Sequence, residues 1–478
     1  MSTLRSLRLL GAVEAGTVSG TQLEAYLSNA GRRSELSVLL SSRGQSRRLA
    51  ASSLTMEAIT TSPTAINIIF EAATKETSSA CQAVVVSPVA MYSVSNSIPS
   101  LEVLSANPVA WGLYAGSAYY ETNIKTTLAN LAGVDPVIYP TIKTIIEDPL
   151  SMAHIANKPA AMSAVVASST TVAIMAADSV AMAMVAASPT AMTILSGKTS
   201  IFGAIANSAI AMSEIIAHAG AVTVLSNSAG SLVIVSNTST AWTAFLQGPY
   251  FSANLPAIVA NLVGISPAAY PSLASIIADP IALTKVAASK NAVTALAASA
   301  SALTALSTSP NLGIMLGSSI AMSVLGPNSA AMSSFLSNSG AWAGLFSSSV
   351  AKGYMVASTD LVNAIAANAP LIVYLKTKAV TTSATGIPDG NATALQPFAG
   401  VPEKLLTLSA KEAGIAATFS PYNFGGSPMA GTQAGATLQL TAASSLVHIA
   451  GYTSMTWNLQ GIGVTAATLP IITYVDMT

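Results

Sequence analysis

The sequence predicts a mainly α-helical protein: a solenoid or stalk of short helices made from ten-residue repeats, followed by a C-terminal all-β, sandwich-like domain. Three observations predict it. An apolar motif returns every ten residues, its apolar slots fall on one helical face, and the composition changes near residue 379.

Taken in chain order, the first element is a helical segment over residues 1–50 that holds every arginine of the protein: Arg5, Arg8, Arg32, Arg33, Arg43, Arg47 and Arg48. Only Glu14, Glu24 and Glu35 oppose them there, although the net charge of the chain is zero. Charge runs are commonly solvated faces. A run confined to one end of an otherwise almost uncharged chain also suits docking, because a guanidinium offers planar, multi-donor contacts to acidic surfaces. Arg32, Arg33, Arg43, Arg47 and Arg48 are the docking candidates. Nucleic acid is not expected as a partner, since Tyr26 is the only aromatic residue interleaved with them.

A first, irregular repeat array is predicted over 51–120, through Met56, Ile66, Met91, Leu101 and Trp111. Between 151 and 250 the period is ten without slippage; Met152, Met162, Met182, Met192, Met212 and Trp242 occupy one slot. A third array over 281–378 carries Leu283, Val293, Leu303, Met322, Met332 and Trp342, with a one-residue slip before Met322. The core candidates are Met162, Met182, Met192, Met212, Trp242, Met322 and Met332. Counting each unit from its Ala-Met pair, the apolar slots are one, two, five and six. At 100° per residue they span an arc of about 140°, a single helical face, whereas on a strand they would divide between both faces. Serine at slot eight, followed by proline in Ser62-Pro63, Ser87-Pro88, Ser188-Pro189 and Ser309-Pro310, reads as a helix N-cap with proline in the first turn. Gly197, Asn207, Asn227 and Asn237 at slot seven read as left-handed C-caps. A two-turn helix is marginal alone, so its apolar face must be covered by neighbouring repeats or neighbouring chains. A β-solenoid with ten-residue coils is the competing architecture.

Two helical joints, 121–150 and 251–280, interrupt the arrays and are copies of one another at a spacing of 131 residues. Asn130, Gly133, Pro136, Tyr139, Pro140, Asp148 and Pro149 recur as Asn261, Gly264, Pro267, Tyr270, Pro271, Asp279 and Pro280. Each joint reads as two helices, the second starting at Asp135-Pro136 or Ser266-Pro267. Copying on this scale extends a structure more readily than it builds a catalytic centre.

From 379 to 478 the methionine period disappears and Gly, Thr and β-branched residues rise. Strands are expected at Thr437–Thr441, Leu446–Ala450 and Leu469–Val475, with turns at Asp389-Gly390-Asn391 and Gly425-Gly426. This region holds Phe419, Tyr422, Phe424, Tyr452, Trp457 and Tyr474; Tyr422, Phe424 and Trp457 are the candidates for receptor or partner contact, against core packing as the plainer role.

The decapeptide Ser188–Leu195 (SPTAMTIL), in tandem behind an arginine-bearing start, resembles tail-fibre and virion structural proteins of tailed bacteriophages, as does the stretch Gly11–Ala50. The likeness covers about the first two-thirds of the chain, and the two joints depart from its more regular forms. It implies an N-terminus docked on a virion, a repetitive shaft and a distal domain. The chain is therefore expected in the virion, in its tail or an appendage. Its expected partners are itself (a homo-oligomer, read as a trimer), other tail or neck proteins, and a host surface glycan or protein. A collar, baseplate or capsid-decorating connector and a bacterial surface adhesin are the other structural readings.

The composition fits a long-lived assembly. Half the chain, 51%, is apolar and only 8% is charged, against about a quarter in ordinary soluble proteins, so Ser, Thr and Asn must coat the surface. No membrane insertion is expected, because polar residues interrupt every apolar run well short of the roughly 20 residues a span needs. The single cysteine, Cys81, forms no intrachain disulfide. No catalytic, cofactor-binding or metal-ligating set is expected. Ser196-Gly197-Lys198-Thr199 mimics the end of a phosphate-binding loop but has Met192 where that loop requires glycine; His154, His218 and His448 lack ligand spacing; the repeats hold no carboxylate pair, and no nucleophile-elbow pattern is present.

Overall fold

A computed structural model describes residues 2–71 and 79–383 and, beyond them, seven further strands. The described residues are mainly helical, and the chain divides into two compact units, Met1–Asn254 and Leu255–Thr478.

The first unit opens with α1 (Ser2–Glu14), α2 (Gly20–Leu27), α3 (Ala30–Leu40), α4 (Arg43–Ala50), α5 (Ser53–Thr60) and α6 (Pro63–Glu71). After residues 72–78 come α7 (Ser79–Val85), α8 (Pro88–Ser95), α9 (Ile98–Ala106), α10 (Pro108–Ala115), α11 (Tyr120–Ala132) and α12 (Ile142–Ile146). The regular array is α13 (Pro149–Asn157), α14 (Pro159–Val165), α15 (Ser169–Ala176), α16 (Ser179–Ala187), α17 (Pro189–Ser196), α18 (Thr199–Ala206), α19 (Ala209–Ala217), α20 (Ala219–Ser226), α21 (Ala229–Asn237) and α22 (Ser239–Gln247).

Each decamer is one helix, and each helix packs on the third one after it: α13 on α16, α14 on α17, α15 on α18, α16 on α19 and α17 on α20. Four consecutive pairs between α14 and α21 bend by 97° to 103°. Three helices and about thirty residues therefore complete one coil, and the next coil lies on it. The β-solenoid alternative is excluded for the array. Slots one, two, five and six face the interior: Ala181, Met182, Val185 and Ala186 are all buried, as are Met162, Met192, Met212 and Trp242. The apolar faces are thus covered by neighbouring repeats of the same chain.

The serine at slot eight serves two helix ends at once. Ser188 caps α17 by accepting from the Ala191 amide at 3.3 Å, and its hydroxyl donates to the Ala156 carbonyl at the end of α13, 2.8 Å away. Ser208 acts likewise between Ala211 of α19 and Ala176 of α15. Asn107 accepts from Val109 and Ala110 of α10 and donates to Phe70 of α6 at 2.8 Å. This explains a correction. Gly197, Asn207 and Asn227 are C-caps with ordinary right-handed backbone, and Asn237 is the last residue of α21. Carbonyls at several helix ends accept from a side chain one coil on, so no left-handed turn is needed there.

The arginine-bearing helices belong to the same stack: α2 packs on α5, α3 on α6 and α4 on α7. The coils accordingly begin before residue 51. In the joints the second helix starts later than expected. Thr141 caps α12 through a capping box with Thr144, while Asp135 accepts from the Val137 amide in a turn. The first helix ends at Gly133, whose φ of 77° is left-handed; Gly264 repeats this at 67°.

The second unit begins within α23 (Phe251–Leu262) and continues with α24 (Leu273–Ala278), capped by Ser272 rather than Ser266. Then follow α25 (Pro280–Ala287), α26 (Lys290–Ala297), α27 (Ala300–Ser307), α28 (Leu312–Gly317), α29 (Ser319–Leu325), α30 (Ser329–Leu336), α31 (Ser339–Ser347), α32 (Ser349–Ala357), α33 (Thr359–Ala367) and α34 (Ala369–Lys376). The same pattern holds: α25 packs on α28, α26 on α29, α27 on α30 and α28 on α31. Met322 and Met332 are buried. The slip is absorbed at the start of α28, where Ser309-Pro310 forms a turn and Asn311 takes the cap position instead.

After α34, strands β1 (Val380–Ser383), β3 (Leu405–Lys411) and β8 (Ile471–Asp476) form an antiparallel sheet in the order β1-β8-β3. Strands β3 and β8 lie against α34, and Val475 and Met477 are buried. Strands β2 (Leu395–Pro397), β5 (Pro421–Tyr422) and β7 (Thr456–Asn458) form a second sheet, and β4 (Ala417–Phe419) pairs with β6 (Leu438–Leu440). The expected strands at 437–441 and 469–475 coincide with β6 and β8; Leu446–Ala450, Asp389-Gly390-Asn391 and Gly425-Gly426 lie outside the described residues. Among the described residues no single helix is long and apolar enough to cross a membrane.

Candidate interaction surfaces

Two surfaces of the first unit combine exposure with recognisable chemistry. The first is the arginine-bearing end. Arg32, Arg33, Arg43, Arg47 and Arg48 are all exposed. Their placement on the helices differs in cost. Arg47 and Arg48 lie in the last turn of α4, where a positive charge complements the helix dipole. Arg32 and Arg33 lie in the first turn of α3, at the positive end of that dipole, and Asn29 caps the same turn. Arg32 is compensated by stacking over the Tyr26 ring at 4.4 Å from its centroid.

The nearby acids are engaged within the fold. Arg48 binds Glu14 through two hydrogen bonds, that from Nε to Oε1 being 2.7 Å; this bond and the Glu14 charge raise the Arg48 pKa further. Glu24 is opposed by its own burial, which raises its pKa. Hydrogen bonds from the Ser62 hydroxyl and from the Thr64 hydroxyl and amide, together with the charge of Arg33, leave it below the usual carboxylate range. Glu24 so tethers α2 to the start of α6. Glu14 and Glu24 fasten helices together, while the five arginines stay at the surface.

The second surface is a groove of about 870 Å³ whose lining includes Glu57, Thr60, Pro88, Tyr92, Asn96 and Pro99. Tyr92 is 65% exposed. The sequence reading missed this groove, although a signal exists: Tyr92 holds slot three of its repeat, which is small or polar in most other units, as in Ser163, Ala173, Ala183, Thr193 and Ser213.

The C-terminal candidates are distributed across strands. Tyr422 lies in β5 and Trp457 in β7, which pair so that Trp457 stands opposite Pro421 and Tyr422 opposite Thr456. These two candidates are therefore brought to adjacent strands, while Tyr474 lies in the separate β1-β8-β3 sheet. Phe424 and Tyr452 lie outside the described residues.

His154 is exposed, and the His218 Nδ1 lies 2.8 Å from the Glu214 carbonyl oxygen. His448 lies outside the described residues. Among the described residues no group of three or more His, Cys, Asp or Glu side chains is arranged to hold a metal ion. Burial pushes the Cys81 thiol up to about 12, so its nucleophilic thiolate is scarce at neutral pH. No protein-family model matches this chain, and no curated protein matches it.

Proposed function

We propose that this chain is a structural, non-enzymatic subunit of a bacteriophage particle, a tail fibre or appendage component docked through its arginine-bearing end. The observation that carries the reading is the concentration of every arginine at the first coils of a repeat solenoid whose remaining surface is nearly uncharged. Three of those arginines, Arg32, Arg33 and Arg43, stand in first helical turns, where the helix dipole disfavours them, as expected when a partner supplies the compensating acid. In this reading residues 379–478 form a β-domain that contacts a host surface or another virion protein, with Tyr422 and Trp457 on its paired strands.

A connector in the collar, baseplate or capsid decoration is the second reading. It is favoured by the packing of β3 and β8 directly on α34, which makes part of the C-terminal region a closure for the solenoid.

The test is incorporation. Particles assembled with an Arg32→Glu, Arg33→Glu, Arg43→Glu, Arg47→Glu subunit, purified and probed by immunoblot, are expected to lack it. Wild-type levels of the variant in the particles would sink the docking role. Purified wild-type chain added to host cells separates the two readings, because a receptor binder slows adsorption and a connector leaves it unchanged.

A further inference from the structure

The three sides of the coil are not equivalent. Slot ten, near the start of each helix, falls on one side every thirty residues. On the side formed by α13, α16 and α19 it is Leu150, Val180 and Ile210; on the next it is Ala160, Thr190 and Gly220, and on the third Thr170, Ser200 and Gly230. The three bulky residues are exposed, at 75%, 42% and 43%. They form a ridge across stacked helices. Beside it run the small slots Ala153, Ala183, Ala187 and Ala217, so the ridge stands proud of its surroundings.

Only two ionisable side chains stand on these three helices, His154 of α13 and Glu214 of α19. Both occupy slot four, and the slot-four residue of the helix between them is Met184. A two-fold axis lying in the contact plane and running along α16, over Val180 and Met184, exchanges α13 with α19. His154 of one copy then meets Glu214 of the other, Leu150 meets Ile210, and Val180 meets the second Val180.

We propose that the outer side of α13, α16 and α19 is a two-fold contact between two copies of this chain, with Met184 on its axis. A second copy is the occupant that matches this side: it lays its own apolar ridge on this one and brings the acid to the base. Self-complementarity of this kind defines an isologous interface. Three helices about 13 Å long, 8–10 Å apart, present a strip some 25–30 Å wide. The exposed joint residues Val137 and Ile138 extend it, since Tyr139 in their turn donates to Asp148 at the start of α13 at 2.8 Å. Because the Met faces are already covered within one chain, no three-chain stalk is needed to hide them.

The contact is independent of the particle: a chain that pairs but never enters virions leaves it intact. Sedimentation equilibrium of the full chain is expected to give a dimer; a monomer at about 100 µM, a concentration far above a micromolar dissociation constant, overturns the proposal. Val180→Asp with Ile210→Asp, both at exposed positions, is expected to halve the molar mass with the helical circular dichroism unchanged. An unaltered mass would place the interface elsewhere. Met184→Cys is expected to give a disulfide-linked dimer on mild oxidation, with Cys81 buried and silent; a chain that stays monomeric on a non-reducing gel rejects the axis. His154→Glu is expected to weaken the dimer and His154→Glu with Glu214→Lys to restore it, and failure of the double variant rejects the pairing.

Discussion

The hydroxyl of Ser188 donates to the carbonyl of Ala156, 32 residues earlier, at 2.8 Å, while the same oxygen accepts from the Ala191 amide. One side chain closes the start of its own helix and the end of another in the coil before it. Serine therefore does more here than a surface N-cap. Ser188→Ala is expected to cost about 1–2 kcal/mol, the upper part of the range for a lost cap, because a part-buried carbonyl also loses its donor. Thr190→Ala, at an exposed position two residues on, should stay within about 0.5 kcal/mol. Urea denaturation of the two variants measures the difference, and equal effects would reduce Ser188 to an ordinary cap.

The methionine slot should behave as packed core. Met182 is fully buried, and Met182→Ala is expected to cost about 2–5 kcal/mol through lost burial and the cavity left behind. Met182→Leu, nearly equal in volume, should cost less than about 1.5 kcal/mol. Thermal unfolding followed at 222 nm distinguishes these outcomes from a stack that tolerates both.

Glycines of the joints and of the repeats should respond oppositely to alanine. Gly133 holds a φ of 77°, so Gly133→Ala is expected to destabilise by about 1–2 kcal/mol. Gly203 lies inside α18 with no atom within 4 Å of an added Cβ. Gly203→Ala should stabilise by about 0.5–1 kcal/mol, the helix-propensity difference. Denaturation midpoints moving in the same direction would contradict the backbone assignment.

Acid should loosen the start of α13. Asp148 lies below the usual carboxylate range because it accepts from the Ser151 hydroxyl and amide and from Tyr139, against its burial. Asp279 is lowered likewise, first by Tyr270 and then by the Ile281 amide, with the Ala282 amide adding to it. A carboxyl whose folded-state pKa is depressed contributes stability above its unfolded value, near 4, and loses it as pH falls through the folded value. Both variants Asp148→Asn and Asp279→Asn should therefore show a shallower loss of stability between pH 5 and pH 2 than the wild type. Unchanged slopes would mean that neither carboxylate is linked to folding.

The short-range logic of the repeat was legible in the residues. The buried slots one, two, five and six are those of a helical face, and Ser87, Asn107 and Ser188 cap helices with proline in the first turn. What was not legible is how many helices make a coil. A period of ten fits any number, and only the alternation of slot ten between bulky and small residues carries the count of three. The helix ends were misread at Gly197, Asn207 and Asn227 for a related reason: the donor that satisfies a carbonyl comes from about thirty residues away and leaves no local signature. The second helix of each joint was placed too early because Asp135-Pro136 has the chemistry of a cap, yet Asp135 uses it to close a turn. Of the surfaces, the arginines announced themselves by charge, while the Tyr92 groove required the stacking of α5 and α8.

Three helices per coil also restrict how such a protein can change length. One added decamer would carry every later residue to the neighbouring side, and a ridge such as Leu150, Val180 and Ile210 would break at the insertion. Three added decamers would leave each side in line. The internal copy at 131 residues matches this rule in sequence, since α11 and α23 are twelve helices apart, a multiple of three. Growth by whole coils lets the chain lengthen while each side keeps its own chemistry.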